Sequence, residues 1–340
     1  MKASLYDSAE GYYRRSDLKR WGREGDYRTS PERSELFAAT FARYFTRLYE
    51  ELGRPSDWTI VECGAGDGRF AEGVLRSSDV SRYVVCDSSP DALERARERL
   101  RESRARVEFC SEGELPRVEH GIFFSNELFD AFPVHRLVMI DGELREMYVS
   151  VGAENKFVWA PGPLSTPRLS EFCREHSIEL TEGQLIEVNL EIEDWLAKVS
   201  LSLERGFVIT VDYGAEADEL YNPGLRPNGT LRAFSKHGFV NSLLYQPGEY
   251  DITSSVNWTQ VKFAGANVGL NTVEFASQDR FLLKAGLLEV LEQRLTKIES
   301  EAEKLSLTTG AREMILPGGM ASSFQVLVQQ RVEEGITDVR

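Results

Sequence analysis

The sequence predicts an α/β protein with a parallel sheet and helices on both of its faces. Short apolar runs with the length and composition of buried strands occur at 58–63, 82–87, 106–110 and 121–125. A helical stretch over 90–104 lies between the second and third runs, and Ser89 caps it just before a proline. Strands that alternate with helices favour parallel pairing, because each crossover returns the chain to the same edge.

Four segments organise this prediction along the chain. We expect an N-terminal lid and helix over 1–53 and the first half of the core over 54–136. An insertion should follow over 137–205, and the second half of the core over 206–340. Ser30 before Pro31 predicts a helix start. An apolar and aromatic stripe at helical spacing follows from Leu36 to Tyr49, and it should pack on the sheet.

The alternation is interrupted by insertions after the fourth and fifth strands. In the first insertion, Asp141-Gly142 predicts the turn of a hairpin over 137–151, and helices follow at 168–176 and 191–204. A strand at 207–212 then resumes the main sheet. Residues 215–250 are rich in Gly, Pro and Asn and predict an ordered substrate-side loop. Beyond it we expect a helix over 277–300 and a strand over 324–328.

Composition limits the possible partners and location. The 340 residues carry a net charge of −15, which repels phosphate backbones and favours a basic protein or peptide over nucleic acid. The four cysteines form no C-x-x-C pair, so we expect free thiols, with neither a metal site nor a disulfide framework. The sequence has no apolar run of transmembrane length, and its first residues lack the apolar stretch of a secretory signal. We therefore expect a cytoplasmic protein without a membrane span.

The turn Glu62-Cys63-Gly64-Ala65-Gly66-Asp67-Gly68 follows the first predicted strand and has the glycine pattern of a nucleotide site. The dinucleotide fingerprint requires a glycine where Arg69 stands, which argues against NAD. An acid at the strand end would oppose a pyrophosphate but suits the cationic S-adenosylmethionine (SAM). We therefore expect SAM to contact Glu62, Gly64, Ala65, Gly66 and Gly68.

Polar residues after the second and third strands could complete the cofactor site. Asp87 lies about 20 residues beyond the glycine turn, where a carboxylate can accept from both ribose hydroxyls. Ser88 follows it directly. Glu112 follows the third strand and could accept from the adenine amine, although a plain surface loop is an equal alternative.

Candidate catalytic residues follow the fourth and fifth strands. Asn126, Glu127 and Asp130 lie where the transferred methyl group should emerge, and Asn126 could also contact the cofactor. On a helical turn the two carboxylates would share a face and could bind a guanidinium. Asp212 could line the acceptor pocket or cap the next segment. We give His135 and His237 no catalytic role, because a lone histidine is usually structural.

Glu62–Gly68 and Asn126–Pro133 together resemble the MidA-type family of class I SAM-dependent methyltransferases. Further blocks resemble this family in the same order, at 25–32, 211–214, 229–234 and 247–253. The resemblance covers most of the chain and implies a Rossmann-like methyltransferase fold with SAM as the cofactor. Mitochondrial members methylate an arginine of a respiratory complex I subunit, which implies arginine N-methylation of a respiratory-complex-type subunit here.

The chain departs from the family pattern at several positions. Cys63 and Ala65 replace a leucine and a proline of the glycine turn, Phe132 replaces a leucine, and 255–276 matches poorly. The acid and the glycines remain, so the departures concern the acceptor more than the cofactor. A methyltransferase acting on a small molecule and a non-catalytic assembly factor with the same fold are the alternative functions.

Overall fold

The computed structural model describes residues 1–15, 17–18, 35–111, 113–235, 238–240, 242–316 and 323–332. Its helices are α1 (Lys2–Tyr6), α2 (Glu35–Glu51), α3 (Arg69–Ser77), α4 (Pro90–Leu100), α5 (Arg168–Glu175), α6 (Glu191–Ser202), α7 (Ala217–Leu220), α8 (Trp258–Asn267), α9 (Gln278–Ala285), α10 (Leu287–Leu295) and α11 (Glu301–Ile315). The strands of the main sheet are β1 (Thr59–Cys63), β2 (Arg82–Cys86), β3 (Arg106–Cys110), β4 (Val118–Asn126), β9 (Leu203–Ala215), β13 (Val256–Asn257), β14 (Leu270–Ser277) and β15 (Phe324–Arg331). Two smaller sheets are built from β5 (His135–Ile140), β6 (Glu143–Val151), β7 (Phe157–Gly162) and β8 (Leu185–Val188), and from β10 (Arg232–Ser235), β11 (Gly238–Phe239) and β12 (Asp251–Thr253).

The main sheet has the strand order β14-β15-β9-β4-β1-β2-β3, and β13 adds to the end of β9. Pairing is parallel from β3 through β9, whereas β15 runs antiparallel to both of its neighbours. The predicted parallel α/β sheet is therefore confirmed. The chain winds outward from β1 to β3 and returns to β4, so a crevice lies between β1 and β4 at their carboxyl ends.

Helices cover both faces of this sheet, as predicted. One face packs against α2, α3 and α4 and the C-terminal helices, and the other packs against α6 and α8. The predicted stripe of α2 is buried, and its Phe41 lies 5.1 Å from Phe124 of β4 between ring centroids. Phe70 of α3 stacks on Phe124 at 4.3 Å, which fixes α3 directly after the glycine turn. The predicted cap at Ser30 lies outside the described residues.

The first insertion forms a four-stranded antiparallel sheet of order β7-β6-β5-β8. Its hairpin turns at Asp141-Gly142, with φ values of 52° and 72°, as the sequence predicts. Helix α6 packs on the main sheet through Ile192, Trp195 and Leu196, so it serves as the crossover from β4 to β9. The predicted loop 215–250 contributes β10 and β11 to the three-stranded sheet, on which Leu5 and Tyr12 of the N-terminal segment pack.

The C-terminal part differs from the prediction. The helix predicted over 277–300 is interrupted at Gly286, whose φ of +101° ends α9 and begins α10. Helices α8 and α11 and strand β14 had no sequence prediction. Helix α8 escaped prediction because it is buried on the sheet and carries no clear amphipathic stripe. Within the described ranges, no helix combines the length and apolarity required to cross a bilayer.

The cysteine prediction is partly wrong. Cys86 and Cys110 occupy paired positions at the carboxyl ends of β2 and β3, and the structure joins them in a disulfide. Strand pairing brings together two residues that are 24 positions apart, which no C-x-x-C search could detect. Cys63 and Cys173 are free and buried, as expected.

Candidate functional site

The glycine turn after β1 forms a backbone cradle at the crevice, in which Gly64 and Gly66 are half-buried and Gly68 is buried. Gly64, Gly66 and Gly68 all have positive φ values, of 69°, 55° and 76°. A Cβ at Gly64 would lie 3.0 Å from Leu128 Cδ1, so the close approach also favours glycine. The amide of Ala65 donates to the carbonyl of Cys86, at 3.2 Å, and ties the turn to the end of β2.

Asp87 is fixed against this cradle by the backbone. Its carboxylate accepts from the Gly66 amide at 2.8 Å and from the Ser89 amide at 2.7 Å. A carboxylate has about four lone-pair positions, so a group such as Asp87 can accept from hydroxyl donors as well as from amides. Ser88 is half-buried beside it, and Glu112 lies outside the described residues. The structure thus brings Asp87 and the glycines together, as the sequence predicts.

Glu62 is a buried acid directly before the cradle, with 4% of its surface exposed. Its Oε2 accepts from the Tyr83 hydroxyl at 2.7 Å. Burial raises the pKa of Glu62 to about 8, although the bond from Tyr83 opposes the shift. Positive charge at this position would favour the ionised form, so Glu62 suits the cationic end of a ligand.

Residues 127–130 form a bent segment after β4, and they do not form the helical turn on which the carboxylates were expected to share a face. Glu127 has a φ of +54°, outside the helical region, and its amide donates to the Val211 carbonyl at 2.9 Å. Asn126 Nδ2 donates to Glu127 Oε1 at 3.0 Å. Glu127 is half-buried while Asp130 is buried, so the two carboxylates have different environments.

Asp212 at the end of β9 holds this segment in place. Its Oδ2 accepts from the amides of Phe129 and Asp130, at 3.0 and 3.3 Å, and its Oδ1 accepts from the Tyr213 amide. The side chain is fully buried. These contacts fix the backbone of Phe129 and Asp130, a role for Asp212 that the sequence did not offer.

Asp130 is the buried carboxylate at the centre of the site, and 4% of its surface is exposed. Its Oδ2 accepts from the Tyr213 hydroxyl at 2.6 Å. Burial raises the pKa of Asp130 to about 6, while Tyr213 and the charge of Arg232 act in the opposite direction. Burial and the charge of Asp130 raise the pKa of Asp212 well above its usual range. Two negative charges on this buried pair therefore disfavour each other.

Two buried acceptor atoms of this segment have no hydrogen-bond partner in the described part of the chain. They are Asn126 Oδ1 and Asp130 Oδ1. A buried polar atom without a partner costs free energy, so such atoms often mark the place of a bound group. Both atoms accept, and they call for a ligand rich in N–H donors.

The sequence reasoning missed Tyr83, Tyr213 and Arg232, which contact or face the predicted acids. Tyr213 and Arg232 each lie in a recognised block, but no local spacing indicates that they meet Asp130. His135 Nδ1 bonds Glu146 Oε1 at 2.7 Å in the four-stranded sheet, which is a structural role. His237 lies outside the described residues.

Comparisons with known proteins agree with this geometry. Residues 40–276 match the model of the family described as "Putative S-adenosyl-L-methionine-dependent methyltransferase". The mitochondrial protein arginine methyltransferase NDUFAF7 homolog of Drosophila melanogaster is 25% identical over 371 residues, covering 96% of this chain and 79% of that protein. The mitochondrial protein arginine methyltransferase NDUFAF7 of Homo sapiens is 24% identical over 372 residues, covering 98% of this chain and 80% of that protein. A Burkholderia thailandensis structure bound to S-adenosyl-homocysteine has a TM-score of 0.86 and 29% identity, covering 97% of this chain and 86% of that one.

Proposed function

This chain belongs to that family of SAM-dependent methyltransferases, and we propose that it methylates the guanidinium group of an arginine side chain in a protein. The proposal is supported by the two curated relatives, both named as protein arginine methyltransferases. A respiratory-complex-type subunit as the acceptor rests on the sequence resemblance alone.

One observation carries the arginine proposal, namely the pair of buried acceptors Asn126 Oδ1 and Asp130 Oδ1. A guanidinium has five N–H donors and no acceptor, so it suits a site whose unpartnered atoms only accept. A carboxylate also gives it a charge-assisted bond, which is stronger than a neutral one. The net charge of −15 favours the approach of a basic segment.

The residues at the crevice fit SAM. The glycine cradle allows close backbone approach, Asp87 places a carboxylate beside it that can accept from ribose hydroxyls, and Glu62 provides a buried acid for the cationic end. When bound, SAM supplies a methyl group on a sulfonium, which is already a good leaving group. The work left for the protein is to position the acceptor and to exclude water.

The side chains of the segment after β4 would perform this positioning. Asp130 Oδ1 would accept a hydrogen bond from one guanidinium nitrogen and stabilise the positive charge that this nitrogen gains with the methyl group. The same oxygen would take up the proton that the nitrogen releases. Asn126 Oδ1 would orient the same group, and the Asn126 amide in turn fixes Glu127. Asp212 would act at a distance, by holding the backbone amides of Phe129 and Asp130.

The experiment is to incubate the protein with a lysate of its native host and SAM labelled on the methyl group. Labelled protein is then hydrolysed to amino acids, and methylarginine is separated from methyl-lysine. We expect the label in methylarginine. Label in methyl-lysine, or only in the small-molecule fraction, would refute the arginine proposal, and the latter result would favour a small-molecule methyltransferase.

The cytoplasmic location expected from the sequence is also a proposal. It rests on the sequence expectation alone, whereas the curated relatives are named as mitochondrial. Fractionation of the native host with an antibody against the protein tests it, and recovery in an organelle or a membrane fraction would contradict it.

A further inference from the structure

Tyr213 contacts the buried acid Asp130, and Arg232 of another strand lies over the Tyr213 ring. The Tyr213 hydroxyl donates to Asp130 Oδ2 at 2.6 Å, and the Arg232 guanidinium carbon lies 4.8 Å from the centre of the Tyr213 ring. We propose that both are positioning residues for methyl transfer, in which Arg232 keeps Asp130 ionised and Tyr213 occupies Oδ2 so that Oδ1 is left for the acceptor. This inference rests on the proposed function of Asp130.

Asp130 needs a nearby cation because its surroundings disfavour a negative charge. The side chain is buried, and so is the carboxyl of Asp212, whose Oδ2 accepts from the Asp130 amide. Glu127 adds a further negative charge that acts on Asp212. Like charges in a buried site cannot all ionise without compensation. Among the groups that act on Asp130, Arg232 supplies the compensating charge, and Tyr213 supplies a side-chain hydrogen bond beside the backbone amides of Asp130 and Ala131.

The position of Arg232 is fixed by the backbone around it. Arg232 pairs with Thr253 across β10 and β12, and its Nη2 donates to Ser255 Oγ at 3.3 Å. The Ser255 amide donates to Thr230 Oγ1 at 3.0 Å. The Thr230 amide donates in turn to Glu187 Oε2 of β8 at 2.6 Å. The four-stranded sheet therefore anchors the strand that carries the cation.

The stacking geometry explains why the cation is an arginine. A guanidinium can lie flat on the Tyr213 ring and keep its charge beside Asp130, whereas an ammonium is a compact and strongly hydrated point charge. The tyrosine thereby has two roles, since its face holds Arg232 and its hydroxyl holds Asp130. Arg232 Nε is buried without a hydrogen-bond partner in the described part of the chain, so contact with the ring matters more for its placement.

The test compares the titration of Asp130 in wild type, Arg232→Gln, Arg232→Lys and Tyr213→Phe. Aspartate carboxyl carbons are labelled with 13C, and the Asp130 signal is assigned by its loss in Asp130→Asn. We expect the Asp130 pKa to rise by about one unit in Arg232→Gln, because an opposite charge at close range lowers the pKa of an acid by one to three units. The Asp130 pKa should rise less in Arg232→Lys than in Arg232→Gln, and it should also rise in Tyr213→Phe.

A matched control is available in α2. Arg47 of α2 also lies over a tyrosine ring, 4.5 Å from the centre of Tyr44, so Arg47→Gln removes the same kind of contact without touching Asp130. Its Asp130 titration should match wild type. An unchanged Asp130 pKa in both Arg232→Gln and Tyr213→Phe would overturn the inference. If Arg232→Gln does not fold, an unchanged pKa in Tyr213→Phe and Arg232→Lys overturns it equally.

A second measurement follows methyl transfer to the native-host lysate between pH 5.5 and 8. In Arg232→Gln the acidic limb of the pH–rate profile should move to higher pH, by the same amount as the pKa of Asp130. The affinity for SAM, measured by calorimetry, should stay within twofold of wild type. A lower rate with an unmoved limb would indicate a purely structural role. If wild type transfers no methyl to arginine, the proposed function fails, while the titration still decides the placement of charge on Asp130.

Discussion

Glu62 allows a stringent test of the site's electrostatics, because its carboxyl is buried and its pKa is raised to about 8. In the unfolded chain the same carboxyl titrates near 4.5. The folded protein therefore binds more protons than the unfolded chain between these two values. Its free energy of unfolding should fall as pH rises through this window, and should level off above it.

The size of the effect follows from the shift. One proton per molecule corresponds to about 1.4 kcal/mol per pH unit at most. Between pH 5.5 and 7.5, the loss of stability from Glu62 should be about 2 kcal/mol. Glu62→Gln keeps the volume and an acceptor for Tyr83 but cannot ionise, so this part of the pH dependence should disappear.

The assay is denaturant unfolding of both proteins at several pH values, with stability compared as a difference at each pH. We expect the Gln variant to gain about 2 kcal/mol relative to wild type between pH 5.5 and 7.5. Glu98→Gln is the matched control, because Glu98 is an exposed glutamate of α4 paired with Arg101. Parallel curves for wild type and Glu62→Gln would refute the account of this acid.

Three further predictions concern other parts of the structure. Gly64→Ala places a side chain at a φ of +69°, which costs about 1 to 2 kcal/mol, and calorimetry should show roughly tenfold weaker SAM binding. Gly229 has a φ of +73°, and Gly229→Ala would bring a Cβ within 2.4 Å of the Glu187 carboxylate. Denaturant unfolding should therefore show a free energy of unfolding lower by about 2 to 3 kcal/mol, and wild-type stability would contradict that contact. The disulfide between Cys86 and Cys110 predicts two free thiols in denatured, unreduced protein and four free thiols after reduction. Four free thiols before reduction would show that the disulfide is absent.

The sequence predicted those features of the fold that depend on local pattern. The strands that were predicted, the glycine turn and the cap at Ser89 follow from residues that are adjacent in the chain, and the structure has all of them. The site could be predicted only in part, because Tyr213 reaches Asp130 across 83 positions and Arg232 arrives on a strand of the second insertion. The expected helical turn after β4 was wrong because the backbone bonds of Asp212 hold that segment in a bend.

The central claim is that the free acceptor on Asp130 binds the guanidinium that is methylated. The most direct measurement compares wild type with Asp130→Asn, which keeps the shape and removes the charge. Labelled methylarginine from native-host protein is quantified beside SAM affinity by calorimetry. The account predicts at least a hundredfold loss of methylarginine with SAM affinity within about twofold of wild type, since one charge-stabilising contact is typically worth 10² or more in rate. Methylarginine at the wild-type rate in Asp130→Asn would contradict the claim.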